Sequence, residues 1–138
     1  MSVLATFYLS NDDDAPNFDA EPGRFLDRVE SKGISLVELS LLWTLMRDKP
    51  WDADSLNEFP CLLDLDDGER LIHKLPKLMV AGLEALAPDQ VGRLAVAWSS
   101  TEELSCEPGD IRPLIESLML LARHAHETNR SLYLWNCV

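Results

Sequence analysis

A chain of 138 residues, 46% apolar and 26% charged, has the size and balance of one globular domain that buries a core without disulfide or metal staples. Its 24 acidic against 12 basic residues leave a formal net charge of −12, which repels the phosphates of nucleic acid and the headgroups of anionic lipid. Apolar runs such as "LSLLWTLM" fall far short of the roughly 20 residues a bilayer crossing needs.

The start, "MSVLATFYLSNDDD", has no basic opening, long apolar centre or small-residue cleavage site of a secretory signal. The expectation is a cytoplasmic protein with no membrane association, and a single domain over residues 1–138. Cys61, Cys106 and Cys137 are odd in number and irregular in spacing, which predicts reduced, mostly buried thiols rather than a disulfide framework or zinc motif. The charge excess is uneven. Residues 1–69 carry 16 acidic and 5 basic side chains, net −11, whereas residues 70–138 carry 8 and 7, net −1. Such a field attracts a basic protein surface, chiefly through association rate and partner choice; solubility alone is the competing explanation.

In chain order, residues 2–10, "SVLATFYLS", read as a strand closed by the turn signal "NDDDAPN". "RFLDRVESKG" reads as a short helix with Phe25, Leu26 and Val29 on one side, ended by Gly33 in the left-handed conformation. The next helix has the best-specified start in the chain. Ser35 and Glu38 form a capping-box pattern, with Ile34 and Leu39 placed as a hydrophobic staple. It is apolar almost all round, with only Ser40, Thr44 and Arg47 as a polar stripe, and so belongs in the middle of the domain with Trp43 in the core.

"CLLDLDDGERLIHKLP" suggests a hairpin turning at "DDG". Its acids do not have EF-hand spacing, because Gly68 falls at the fifth position from Asp64 rather than the sixth. From Pro76 the helical period returns through Leu78, Met79, Leu83 and Leu86, with Gly82 offering close helix approach. It resumes at Val91, Leu94, Ala95 and Trp98. A third helix, with Asp110 as N-cap, puts Ile111, Leu114, Ile115, Leu118, Leu121, Ala122 and Ala125 on one stripe. "SLYLWNCV" closes the chain as a strand, which would be a liability if left unpaired. Pairing it with the N-terminal strand gives the expected fold: α+β, predominantly helical, with a small sheet formed by the N- and C-terminal strands.

No local catalytic signature is present: no G-x-G-x-x-G, P-loop, G-x-S-x-G or H-E-x-x-H. His124 and His126 diverge by about 200° on a helix and cannot share a metal, and His73 has no partner at ligand spacing. Neither a metal nor a cofactor is expected, and no catalytic residue is assigned. "WSSTEELSCEPGD", residues 98–110, gathers hydroxyls, Glu102, Glu103 and Cys106 and is the alternative, an enzyme with a scattered site. By elimination the segment "DKPWDADSLNEFP", residues 48–60, carries the leading reading. Trp51 lies outside every helical stripe among Asp48, Asp52, Asp54 and Glu58, as an aromatic anchor ringed by steering charge. The competing role for Trp51 and Phe59 is a lid folded over the core, and "NDDDAPNFDAE" would extend the acidic face if the chain brought the two segments together. The function expected is a small acidic protein-binding module, such as an immunity protein or antitoxin-like inhibitor of a basic protein. A subunit that homodimerises through the terminal strand edge or a helix face is a third reading.

In outline the chain resembles the YfbM-like bacterial domains of unknown function. The resemblance rests on the initial strand, the tryptophan-bearing helix "LLWTLM", the helix pair "LPKLMVAGLEALAPDQVGRLAVAW" and the final "LIESLMLLARHAHETNRSLYLW" helix and strand. It implies an α+β bacterial protein and assigns no active-site residue. The acidic insert at residues 48–69 departs from that outline.

Overall fold

The computed structural model describes residues 3–138. Strands β1 (Leu4–Ser10), β2 (Arg28–Lys32), β3 (Cys61–Leu65), β4 (Arg70–Lys74) and β5 (Ser131–Cys137) form one antiparallel sheet in the order β2-β1-β5-β4-β3. Helices α1 (Leu36–Met46), α2 (Lys77–Glu84), α3 (Pro88–Ser99) and α4 (Pro108–Thr128) cover one face. The opposite face carries the segment between β1 and β2, with its two 3-10 turns, Ala15–Phe18 and Pro22–Arg24. The fold is α+β, as expected.

The terminal strands pair along their whole length, from Leu4↔Cys137 to Ser10↔Ser131. The sheet is larger than the expected pair, however, and β5 is its centre, bonded to β4 on its other side. A dimer through a free edge of the terminal strand is therefore excluded, because both of its edges are taken.

The hairpin at residues 61–74 forms as predicted, turning through Asp66, Asp67 and Gly68, all at positive φ. The helix expected over "RFLDRVESKG" does not form. Residues 28–32 alternate exposed and half-buried as β2, pairing Val29 with Phe7. The charged residues Arg28, Glu30 and Lys32 occupy the exposed positions, a pattern that protects an edge strand. Phe25 packs instead into the cluster on the far side of the sheet. Gly33 does take a left-handed conformation, at φ 76°, but it ends a strand.

Two cores result from the two faces. Ala5, Phe7 and Leu9 of β1 and Leu132 and Leu134 of β5 meet the helices. Tyr8, Ile72 and Tyr133 meet Ala15, Phe18 and Phe25, where Tyr8 stacks on Phe18 at 4.3 Å between ring centres. Tyr8 donates its hydroxyl to the Ala15 carbonyl at 2.8 Å, satisfying its own buried polar atom.

The capping box of α1 is present, with Ser35 and Glu38 engaged reciprocally. Its polar stripe is not solvent-facing: Ser40 and Thr44 are fully buried and donate back to the carbonyls of Val37 and Leu41. Trp98 of α3 is buried and its indole N–H reaches the Glu38 carbonyl at 2.9 Å, tying α3 to α1. Gly82 allows α2 to approach α1, since a Cβ there would lie 3.0 Å from the Met46 methyl. The buried residues of α4 are the seven of the predicted stripe, but the helix opens earlier than Asp110, with Glu107 as N-cap and Pro108 at its first position. The thiols are more accessible than expected: Cys61 is exposed, and Cys106 and Cys137 are half-buried.

Candidate functional site

Residues 48–60 leave α1 through Asp48, at φ 54°, and fold back along that helix. A 3-10 turn, Ala53–Glu58, is capped by Asp52, whose carboxylate accepts from the Ser55 amide. Phe59 anchors the segment in the main core at 3% exposure. The Glu58 carboxylate receives both terminal nitrogens of Arg47, at 2.7 and 3.0 Å, and the guanidinium lies 4.3 Å over the Trp43 ring. Arg47 and the Trp43 indole hold the Glu58 carboxyl below its ordinary range.

Trp51 donates to the buried Ser40 hydroxyl at 2.9 Å yet remains 39% exposed. It is thus both a cover for the polar stripe of α1 and an accessible aromatic surface. Of its four surrounding acids, Glu58 and Asp52 have structural partners, whereas Asp48 and Asp54 are exposed and make no ion pair among the described residues. The structure therefore gathers the expected residues on one ordered segment and divides their work.

"NDDDAPNFDAE" does not extend this surface, because it packs on the opposite face of the sheet. Its acids are largely neutralised there. Asp12 meets Lys74 at 2.9 Å and the Tyr133 hydroxyl at 2.6 Å, and both bonds hold its carboxyl below the ordinary range. Asp14 pairs with Arg24, and Asp19 with Arg70 and the Trp135 indole. The adjoining Asp27 pairs with Arg130 at 2.6 Å.

The alternative enzyme segment has little free chemistry. The hydroxyls of Ser99, Ser100 and Thr101 are bonded to helix carbonyls at 3.1, 2.7 and 2.7 Å. Burial, with Asp110 and Glu107 nearby, pushes the Cys106 thiol up, away from the thiolate a nucleophile needs. Among the described residues, no three metal-ligating side chains converge.

A cleft of about 600 Å³, which sequence reasoning missed, opens where β1, β4 and α4 end. Its walls come from three separate stretches, carrying Asp12, Lys74, Lys77, Glu84, His126 and Arg130 around an apolar floor that includes Leu75, Val80 and Ala125. His126 lies 2.8 Å from Glu84, bridging α4 to α2. No local motif could signal such a site; the only cue is the relative richness in cations of the second half of the chain.

No family model matches the chain and no solved structure does, so the likeness to YfbM-like domains stays one of outline. The chain is similar to a protein described as a UPF0502 protein from the bacterium Pseudomonas savastanoi pv. phaseolicola (strain 1448A / Race 6), at 30% identity over 109 residues. The match takes in 77% of this chain and 46% of that protein, so the chain spans about half the length of this curated relative.

Proposed function

We propose that this chain is a small cytoplasmic binding module that docks a basic protein through the surface around Trp51, in the manner of an immunity protein or antitoxin-like inhibitor. The observation that carries the reading is an accessible tryptophan held on an ordered segment beside the unpaired carboxylates of Asp48 and Asp54. The Phe59 anchor, the Asp52 cap and the Arg47–Glu58 pair fix that segment before any partner arrives. Little ordering entropy then remains to be lost on docking. The aromatic ring supplies contact area and the carboxylates supply steering.

The test leaves the structural acids Asp52 and Glu58 intact. Host lysate is passed over the wild type and over a Trp51→Ala, Asp48→Asn, Asp54→Asn variant at low and moderate salt, and any retained protein is purified and its affinity measured. The reading expects a basic partner whose Kd rises at least about tenfold with the variant and whose association slows as salt is raised. Equal affinity for both forms, or a partner without a basic surface, sinks it.

A further inference from the structure

We propose that a groove on the half of the second sheet face left uncovered by the segment between β1 and β2 binds a free α-amino acid with an apolar or aromatic side chain, independently of the surface around Trp51. That segment packs over Tyr8 and Tyr133 and ends at Trp135, whose indole N–H reaches Asp19 at 3.0 Å. Side chains alternate along a strand and register partners share a face. Leu4, Thr6 and Trp135 therefore follow Tyr8 and Tyr133 onto this side, with Glu30 beside Thr6 and Lys32 beside Leu4. These five residues line an open groove of about 330 Å³, at the lower end of the range of small-molecule sites.

Thr6 is the residue that points to an occupant. It is only 6% exposed, yet its hydroxyl makes no hydrogen bond among the described residues. The buried hydroxyls of Ser40, Thr44 and Ser99, by contrast, each meet a helix carbonyl. The Thr6 hydroxyl is not sealed inside the protein, so its open direction is the groove that Thr6 lines. A nearly buried hydroxyl without a protein partner costs stability that a valine of the same shape would not. A polar group seated in the groove supplies the missing bond.

Charge and lining decide the chemistry of that group. Lys32 is exposed and makes no ion pair among the described residues, and Glu30 has only a loose one, to Arg28 at 3.7 Å. Two residues apart on one face of β2, they stand roughly 7 Å from each other along the strand. A zwitterion answers both: its ammonium meets Glu30, and its carboxylate meets Lys32 and accepts from the Thr6 hydroxyl. A carboxylate alone would face Glu30, and an amine alone would face Lys32. Leu4, 44% exposed, and the half-buried Trp135 ring offer an apolar bed for the side chain.

The experiment is a titration of the uniformly labelled protein, followed by amide and indole NMR shifts, with L-phenylalanine, 3-phenylpropionate and phenethylamine as separate probes. L-Phenylalanine is expected to shift the Thr6, Glu30 and Lys32 amides and the Trp135 indole N–H, and to bind about tenfold or more tightly than the probes lacking its ammonium or its carboxylate. Thr6→Val removes the hydroxyl and keeps the shape, so it should weaken binding by about fivefold or more while its Tm stays at or above that of the wild type. Lys32→Gln should weaken binding by a similar factor. Three results would overturn the proposal: unmoved groove signals, unchanged affinity in Thr6→Val or in Lys32→Gln, or either truncated probe binding as tightly as L-phenylalanine.

Discussion

Between Asn11 and Asp27 six carboxylates occupy 17 residues, and between Asp48 and Glu69 eight occupy 22, so the two segments are almost equally acidic on paper. In the fold they diverge. Five of the six in the first segment make ion pairs: Asp12, Asp14, Asp19, Glu21 and Asp27. In the second, only Glu58 and Asp66 do so among the described residues. The difference lies in what surrounds each segment. The first is laid across a sheet face where Lys74 and Arg70 of β4 and Arg130, just ahead of β5, reach it, whereas the second runs along α1 and out around a hairpin with few cations in range. An acidic run is thus an adhesive layer in one place and an open surface in the other.

The comparison can be broken most severely at Asp19, the least exposed of the paired carboxylates, which joins the Trp135 indole and Arg70. Asp19→Ala is expected to cost about 1.5–3 kcal/mol in urea unfolding, the range for hydrogen bonds to a charged group. A loss below about 0.5 kcal/mol would show that the first segment is not held by its acids. A smaller effect comes from pH. The carboxyls of Asp12 and Asp27 are held low, by Tyr133 and Lys74 and by Arg130 respectively. The folded state therefore favours their ionised forms. That contribution is fully present above the ordinary carboxylate range, near pH 4, and is lost as pH falls through the depressed values. Tm measured from pH 6 downward should fall less steeply in Asp12→Asn and Asp27→Asn than in the wild type. The smallest effect belongs to the second segment. Asp48→Asn with Asp54→Asn should change stability by no more than about 0.5 kcal/mol, and any gain should vanish as added salt screens the repulsion.

Much of this architecture was legible because it is written locally. The capping box at Ser35–Glu38, the turn at Asp66–Gly68 and the seven-residue stripe of α4 each depend on spacings within one element, and each appears in the structure. β2 escaped notice because its outward residues, Arg28, Glu30 and Lys32, are compatible with a helix, and its pairing with β1 is settled by tertiary contacts. A sign of the layer over the second sheet face was available. Tyr8 and Tyr133 alternate with core residues in strands apolar on both sides, which calls for cover on both faces. At the candidate surface, Trp51 and its acids were identifiable, but the division between structural and free carboxylates was not. Arg47 and Glu58 are eleven residues apart, and Asp27 and Arg130 are 103 apart. The cleft, assembled from short contributions far apart in the chain, left no local trace.

The central position of β5 also orders events in time. During vectorial synthesis the β1–β2 and β3–β4 pairs are available early, being joined through nearby chain, but neither can dock on the other while the strand between them is missing. Each ribbon meanwhile presents a bare inner edge, the state in which strands mispair. Closing β1 onto β5 brings together residues as distant as Leu4 and Cys137, a contact whose entropy must be met before the sheet rewards it. Refolding should therefore be slow for a chain this helical, with helix signals recovering ahead of the burial of Tyr8 and Tyr133. The nascent chain would be most exposed to aggregation in the interval before its central strand emerges.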